Sequence, residues 1–148
     1  MKKIVAMAMC LMMMVFALSA NAQNSAIVGK WKQNVNEGGV SVETVYDFHS
    51  DGTMIQTLEV TSPKIEIVGG ATCKYTYENN TITFKFEVAD CNFSKFTIEG
   101  VPQSMIDQAI EMQKSEMAKQ VQKLTDVKIE GDKMTCVFNG QRITLVRI

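Results

Sequence analysis

Cys73-Lys74-Tyr75-Thr76-Tyr77-Glu78-Asn79-Asn80-Thr81-Ile82-Thr83-Phe84-Lys85-Phe86-Glu87-Val88 is the stretch from which the fold is read. Cys73, Tyr75 and Tyr77 alternate up to Asn79-Asn80, and Ile82, Phe84, Phe86 and Val88 alternate away from it. A two-residue turn at the asparagines sets Tyr77 against Ile82 and Cys73 against Phe86. All seven then share one face, while Lys74, Thr76, Lys85 and Glu87 share the other. Such one-sided alternation is that of an antiparallel pair with one buried side.

The same period extends in both directions. Upstream, Val28–Val35 alternates, Glu37-Gly38-Gly39 makes a turn, and Val42, Tyr46 and Phe48 share a face. Ser50-Asp51-Gly52 is a hairpin signal, and Thr53–Val60 returns. Ser62-Pro63 ends that strand; Lys64–Val68 is a short one, with Gly69-Gly70 permitting a bend or bulge. Downstream, a strand runs from about Asn92 to Glu99. The chain closes on two hairpins, turning at Gly131-Asp132 and at Asn139-Gly140, with Met134 and Cys136 on the face that meets Ile143, Leu145 and Arg147.

Between these strands the period changes. Met105, Ile106, Ala109, Ile110, Met117, Val121 and Leu124 recur at helical spacing. Pro102 precedes them, and Ser104 with Asp107 resembles a capping box. The spacing predicts an amphipathic helix of about six turns at 3.6 residues each. Its apolar stripe reads either as a cap completing the core or as a lid, in which Met105, Ile106, Ile110 and Met117 line an entrance with adaptable contacts.

Eight to ten short strands with one apolar face must close or stack to bury it. The expectation is a mainly β, antiparallel up-and-down barrel with one long helix near the C-terminus; the alternative is a β-sandwich plus helix.

The N-terminus predicts a compartment. Lys2 and Lys3 precede the apolar run Ile4–Leu18, and Ser19-Ala20-Asn21-Ala22 offers small residues where a signal peptidase reads. Residues 1–22 read as a signal peptide cleaved near Ala22, leaving 23–148 as a single periplasmic or secreted domain. The alternative is a short N-terminal membrane anchor. Cys10 lies mid-run rather than at its end, so lipidation is not expected. With Lys2 and Lys3 gone, 13 basic and 16 acidic residues remain, a net charge of −3. That balance offers no basis for nucleic acid or anionic lipid as a partner.

Gly29-Lys30-Trp31, shortly after the signal, resembles the lipocalins and their calycin relatives. Tyr46–Thr53 and Asn79–Phe84 resemble hairpins of the lipocalin-like domains found in exported proteins of Bacteroidetes. The resemblance implies a barrel closed at one end by Trp31, with a late arginine across its ring, here Arg147 in Leu145-Val146-Arg147-Ile148. It also implies a small apolar or amphipathic ligand. Two features depart from the family: two or three strands follow the helix instead of one, and its other signatures are not evident.

For chemistry the sequence offers little. His49, beside Ser50 and Asp51, is the one histidine, and members of a triad converge from separate elements rather than from neighbouring positions. Glu59 and Glu66 flank Pro63 as paired carboxylates or as edge-strand charges. No zinc spacing or phosphate loop is present. The expectation is therefore a non-enzymatic protein without metal or cofactor. Of Cys73, Cys91 and Cys136, register favours a Cys73–Cys91 disulfide with Cys136 buried; three reduced thiols are the alternative. Tyr46, Phe48, Tyr75, Tyr77, Phe84, Phe86 and Met134 form the inward set, either lining a ligand cavity or filling a solid core. The corresponding roles are a small-ligand binding protein, or a structural or interaction protein of the cell envelope with a protein partner.

Overall fold

The computed structural model describes residues 26–148. The predicted signal segment, Cys10 and the cleavage site near Ala22 lie outside the described residues. The strands are β1 (Gly29–Glu37), β2 (Val40–Phe48), β3 (Thr53–Ser62), β4 (Ile65–Glu78), β5 (Thr81–Phe84), β6 (Cys91–Ile98), β7 (Gln122–Glu130), β8 (Lys133–Phe138) and β9 (Gln141–Arg147). Helix α1 (Gln103–Lys119) separates β6 from β7.

The sheet is antiparallel and closed. Sequential hairpins join β1 to β2, β2 to β3 and β3 to β4, and β9 returns to pair with β1 at Trp31–Arg147 and Lys32–Val146. The closure is sewn by Ile148 N–H donating to Lys30 O at 3.0 Å. β5 and β6 run in file along the same edge of β4, pairing with Tyr75–Glu78 and with Ile65–Ala71 respectively. Nine strands therefore form the eight staves of a barrel. Two stacked sheets, the sandwich alternative, are not what the chain forms.

The turns follow from local chemistry. Asn79 and Asn80 take φ of 52° and 55°, and Asn139-Gly140 take 49° and 77°. Positive φ at both central positions is what a tight hairpin needs, and asparagine and glycine tolerate it best.

Three elements differ from the sequence reading. First, β4 runs unbroken through Gly69-Gly70 instead of bending into two strands. A β-carbon on Gly69 would lie 2.7 Å from the Phe93 ring, so the glycine admits the ring against the backbone, and the bulge falls in the pairing with β6. Second, β5 ends at Phe84; Val88 lies in a 3-10 turn (Val88–Asp90) and is 42 % exposed. Phe86 still points inward and is fully buried. Third, α1 ends at Lys119, and Leu124 is a buried residue of β7 opposite Ile82. The predicted capping box is absent: Pro102 takes the N-cap position without a side-chain bond, and Asp107 instead accepts from Gln103 Nε2 at 2.9 Å.

Candidate functional site: the barrel interior

The register arranges the inward side chains in tiers. One tier runs Phe48–Met54–Cys73, starting from Gly29. The next runs Trp31–Tyr46–Gln56–Ala71–Cys91, the third Gln33–Thr44–Leu58–Gly69–Phe93, and the fourth Val35–Val42–Val60–Ile67–Phe96. These tiers differ sharply in burial. Trp31, Phe48 and Met54 are fully buried. Val42, Val60, Ile67 and Phe96 are only partly buried, and Val35 is exposed. The barrel is thus sealed at the Trp31 end and presents an apolar, half-open rim at the other.

The sealed end is built on Trp31. Its Nε1–H donates to Ile27 O at 2.8 Å, and the Arg147 guanidinium lies over its ring, 4.2 Å from the centroid. Arg147 also donates from Nη1 to Val28 O at 2.8 Å and from Nη2 to Ala26 O at 3.1 Å. Gly29, at φ 126°, makes room: a β-carbon there would stand 2.7 Å from Nη1.

Of the seven predicted lining residues, Tyr46, Phe48, Tyr75, Phe84, Phe86 and Met134 belong to one buried cluster, and Tyr77 packs against it. Their rings meet edge-to-face: Phe48 with Tyr75 at 5.1 Å and Phe84 with Phe86 at 5.4 Å between centroids. The Tyr75 hydroxyl donates to His49 O at 2.8 Å. Burial, with a contribution from Cys136, pushes the Tyr46 phenol up to about 12, so it stays protonated. These residues pack against one another, and none of them lines the interior cavity.

That cavity, of about 30 Å³, lies beneath α1 and is lined by Gln56, Leu58, Gly69, Gly70, Ala71, Cys91, Phe93 and Met117. Gln56 Oε1, alone among the buried side-chain nitrogen and oxygen atoms of the described residues, has no hydrogen-bond partner. The sequence reading missed Gln56, although its position between Met54 and Leu58 on the inward parity of β3 is a legible signal. Of the predicted lid residues, Met117 covers the cavity, Ile106 is buried, Ile110 is half-buried, and Met105 points away with 59 % exposure.

The three thiols are free; the expected Cys73–Cys91 disulfide is not formed. The reason is register: Cys91 pairs with Ala71, and Cys73 sits one tier away, opposite Met54. Burial pushes Cys73 up to about 12, helped by Asp90 and Cys91, and Cys136 up to about 11. Cys91 is raised as well, first by burial, and its thiol donates to Glu87 O at 3.3 Å.

The remaining candidates do not converge. His49 sits between Asp47 (Nε2 to Oδ2, 3.3 Å) and Thr53 (Nδ1 to Oγ1, 3.2 Å) on the barrel's sealed end. Glu66 pairs with Lys95 on the outer face, and Glu59, opposite Val68, is exposed. No protein-family model matches the chain, and no curated protein sequence matches it.

Proposed function

We propose that this protein is an exported, lipocalin-like binding protein, without catalytic activity, that takes a small apolar or amphipathic molecule at the end of the barrel opposite Trp31. The observation that supports it is the gradient along the interior. One end is sealed by Trp31 and Arg147, and the other holds a tier of apolar side chains left partly open to solvent. A folded domain gains by covering such a tier, and a barrel of eight strands has room for one small ligand. Met117 is the movable cover, its unbranched side chain suited to re-packing.

The test is saturable binding of an apolar fluorescent probe, 1-anilinonaphthalene-8-sulfonate, to the protein purified after export. The expected result is one site per chain, abolished by Val60→Asp at the rim with little change in melting temperature. Absence of saturable binding, or binding indifferent to Val60→Asp, overturns the reading. Mass spectrometry of the same sample reports whether the chain begins after Ala22.

A second reading is favoured by the cavity's size. About 30 Å³ is far below the roughly 300–1,000 Å³ of ordinary ligand pockets. On that reading the barrel is a packed interaction protein of the envelope, and the rim meets a protein partner.

A further inference from the structure

We propose that the cavity beneath Met117 seats an uncharged hydroxyl group at the end of a short apolar chain, with Gln56 Oε1 accepting its hydrogen bond. This rests on the reading of the barrel as a binding module and names the class of its ligand.

The argument begins with the orphaned acceptor. Gln56 lines the cavity, and its Oε1 is buried without a partner. A buried acceptor left unsatisfied carries an uncompensated desolvation cost, which a donor in the cavity removes. Cys91, the other hydrogen-bonding side chain there, already donates to Glu87 O, so its proton is engaged elsewhere. The volume of about 30 Å³ exceeds the roughly 10–15 Å³ that a single water-sized group requires, which suits a hydroxyl.

Charge decides between head groups. No charged side chain lines the cavity; its other walls are Leu58, Phe93, Met117 and small residues. A carboxylate would find no counter-ion there. An ammonium would satisfy the acceptor but leave its charge unpaired. Both pay the desolvation of an ion in an apolar site, whereas an alcohol does not. The rest of the molecule would lie along Gln56, Leu58 and Val60, which follow one another on the inward parity of β3, with Leu58 and Met117 re-packing around it. At about 3.3 Å per residue, that file covers about 13 Å from cavity to rim, comparable with an extended octyl chain.

The experiment is competition against bound 1-anilinonaphthalene-8-sulfonate by 1-octanol, octanoate and octylammonium at neutral pH, with the intact exported protein. 1-Octanol is expected to displace the probe at about tenfold lower concentration than either ion, because only the ions pay the desolvation of a charge. Gln56→Leu is expected to weaken 1-octanol about tenfold against the parent while retaining the probe, the change that one net hydrogen bond of about 1.4 kcal/mol sets, with a melting temperature equal to or above the parent's. Gln56→Met, closer in shape, serves the same purpose should the leucine variant misfold. Equal potency of the three ligands, or a 1-octanol potency that survives both substitutions, overturns the proposal while leaving the binding module standing. So does a crystal structure with only water on Gln56 at saturating 1-octanol. Failure of the probe itself to bind overturns both.

Discussion

The Arg147 guanidinium lies over the Trp31 ring, with its central carbon 4.2 Å from the ring centroid, and the same two residues are cross-strand partners where β9 closes on β1. One contact therefore joins the two ends of the described chain, covers the one tryptophan, and satisfies the carbonyls of Val28 and Ala26. Lysine cannot reproduce it: an ammonium lacks the planar fork that bonds two carbonyls while stacking on a ring. Arg147→Lys is expected to lower stability by about 1–2 kcal/mol, measured as the urea midpoint followed by Trp31 fluorescence.

Gly29→Ala carries two penalties, a positive φ of 126° and a β-carbon 2.7 Å from Arg147 Nη1. The expected loss is about 2 kcal/mol or more. Combining it with Arg147→Ala separates the two: the clash vanishes but the backbone strain stays. The double variant should therefore be more stable than the sum of the singles requires, by about 1 kcal/mol. Strict additivity in the same urea titration would mean that the guanidinium moves aside freely.

Tyr75 tests whether the aromatic cluster is a core. Its ring meets Phe48 and its hydroxyl bonds His49 O. Tyr75→Ala is expected to cost about 3–5 kcal/mol as a buried aromatic truncation. Tyr75→Phe, which removes only the hydroxyl bond, is expected to cost about 0.5–1.5 kcal/mol. Thermal melts of the pair decide it; a near-neutral Tyr75→Ala would place the ring against empty space.

The thiols and one phenol predict an alkaline limit. Cys73 is pushed up to about 12, Cys136 to about 11 and Tyr46 to about 12, first by burial in each case. The unfolded chain releases these protons from about pH 9 for the thiols and pH 10 for the phenol, while the folded chain retains them. Above that point the folded state binds more protons than the unfolded one, so stability falls as pH rises. Each group so held contributes a slope of about 1.4 kcal/mol per pH unit between its unfolded and folded values. Urea midpoints should be flat from pH 7 to 8 and drop between pH 9 and 11. At pH 8 the native protein should resist a thiol-specific disulfide reagent, and in denaturant three thiols should react.

Much of this architecture is local chemistry and was legible in the chain. Asn79-Asn80 and Asn139-Gly140 make tight turns because asparagine and glycine accept positive φ there. The alternation through Tyr75, Tyr77, Ile82, Phe84 and Phe86 places those side chains inside because a strand repeats every two residues. Strand existence, hairpin positions and the inward aromatic set follow from that period and those turns alone.

What periodicity could not decide was where a pattern stops and what a distant segment packs on it. β4 continues through Gly69-Gly70 because β3 pairs with it there without a break, Leu58 with Gly69 and Thr57 with Gly70, while the bare Gly69 backbone admits the Phe93 ring. The helical spacing read through Leu124 breaks at Lys119 because Leu124 is claimed by Ile82 across β5 and β7. The cysteines stay apart because the β4–β6 register sets Cys91 against Ala71. Gln56 was visible on the inward parity of β3, but that its acceptor would be buried without a partner depended on Phe93, Cys91 and Met117 arriving from β6 and α1. By itself, then, the sequence determined strands, turns and inward faces, since these depend on neighbours along the chain. Tertiary structure decided closure, register and the small cavity, since those depend on which remote side chains share a space and how nearly they fill it.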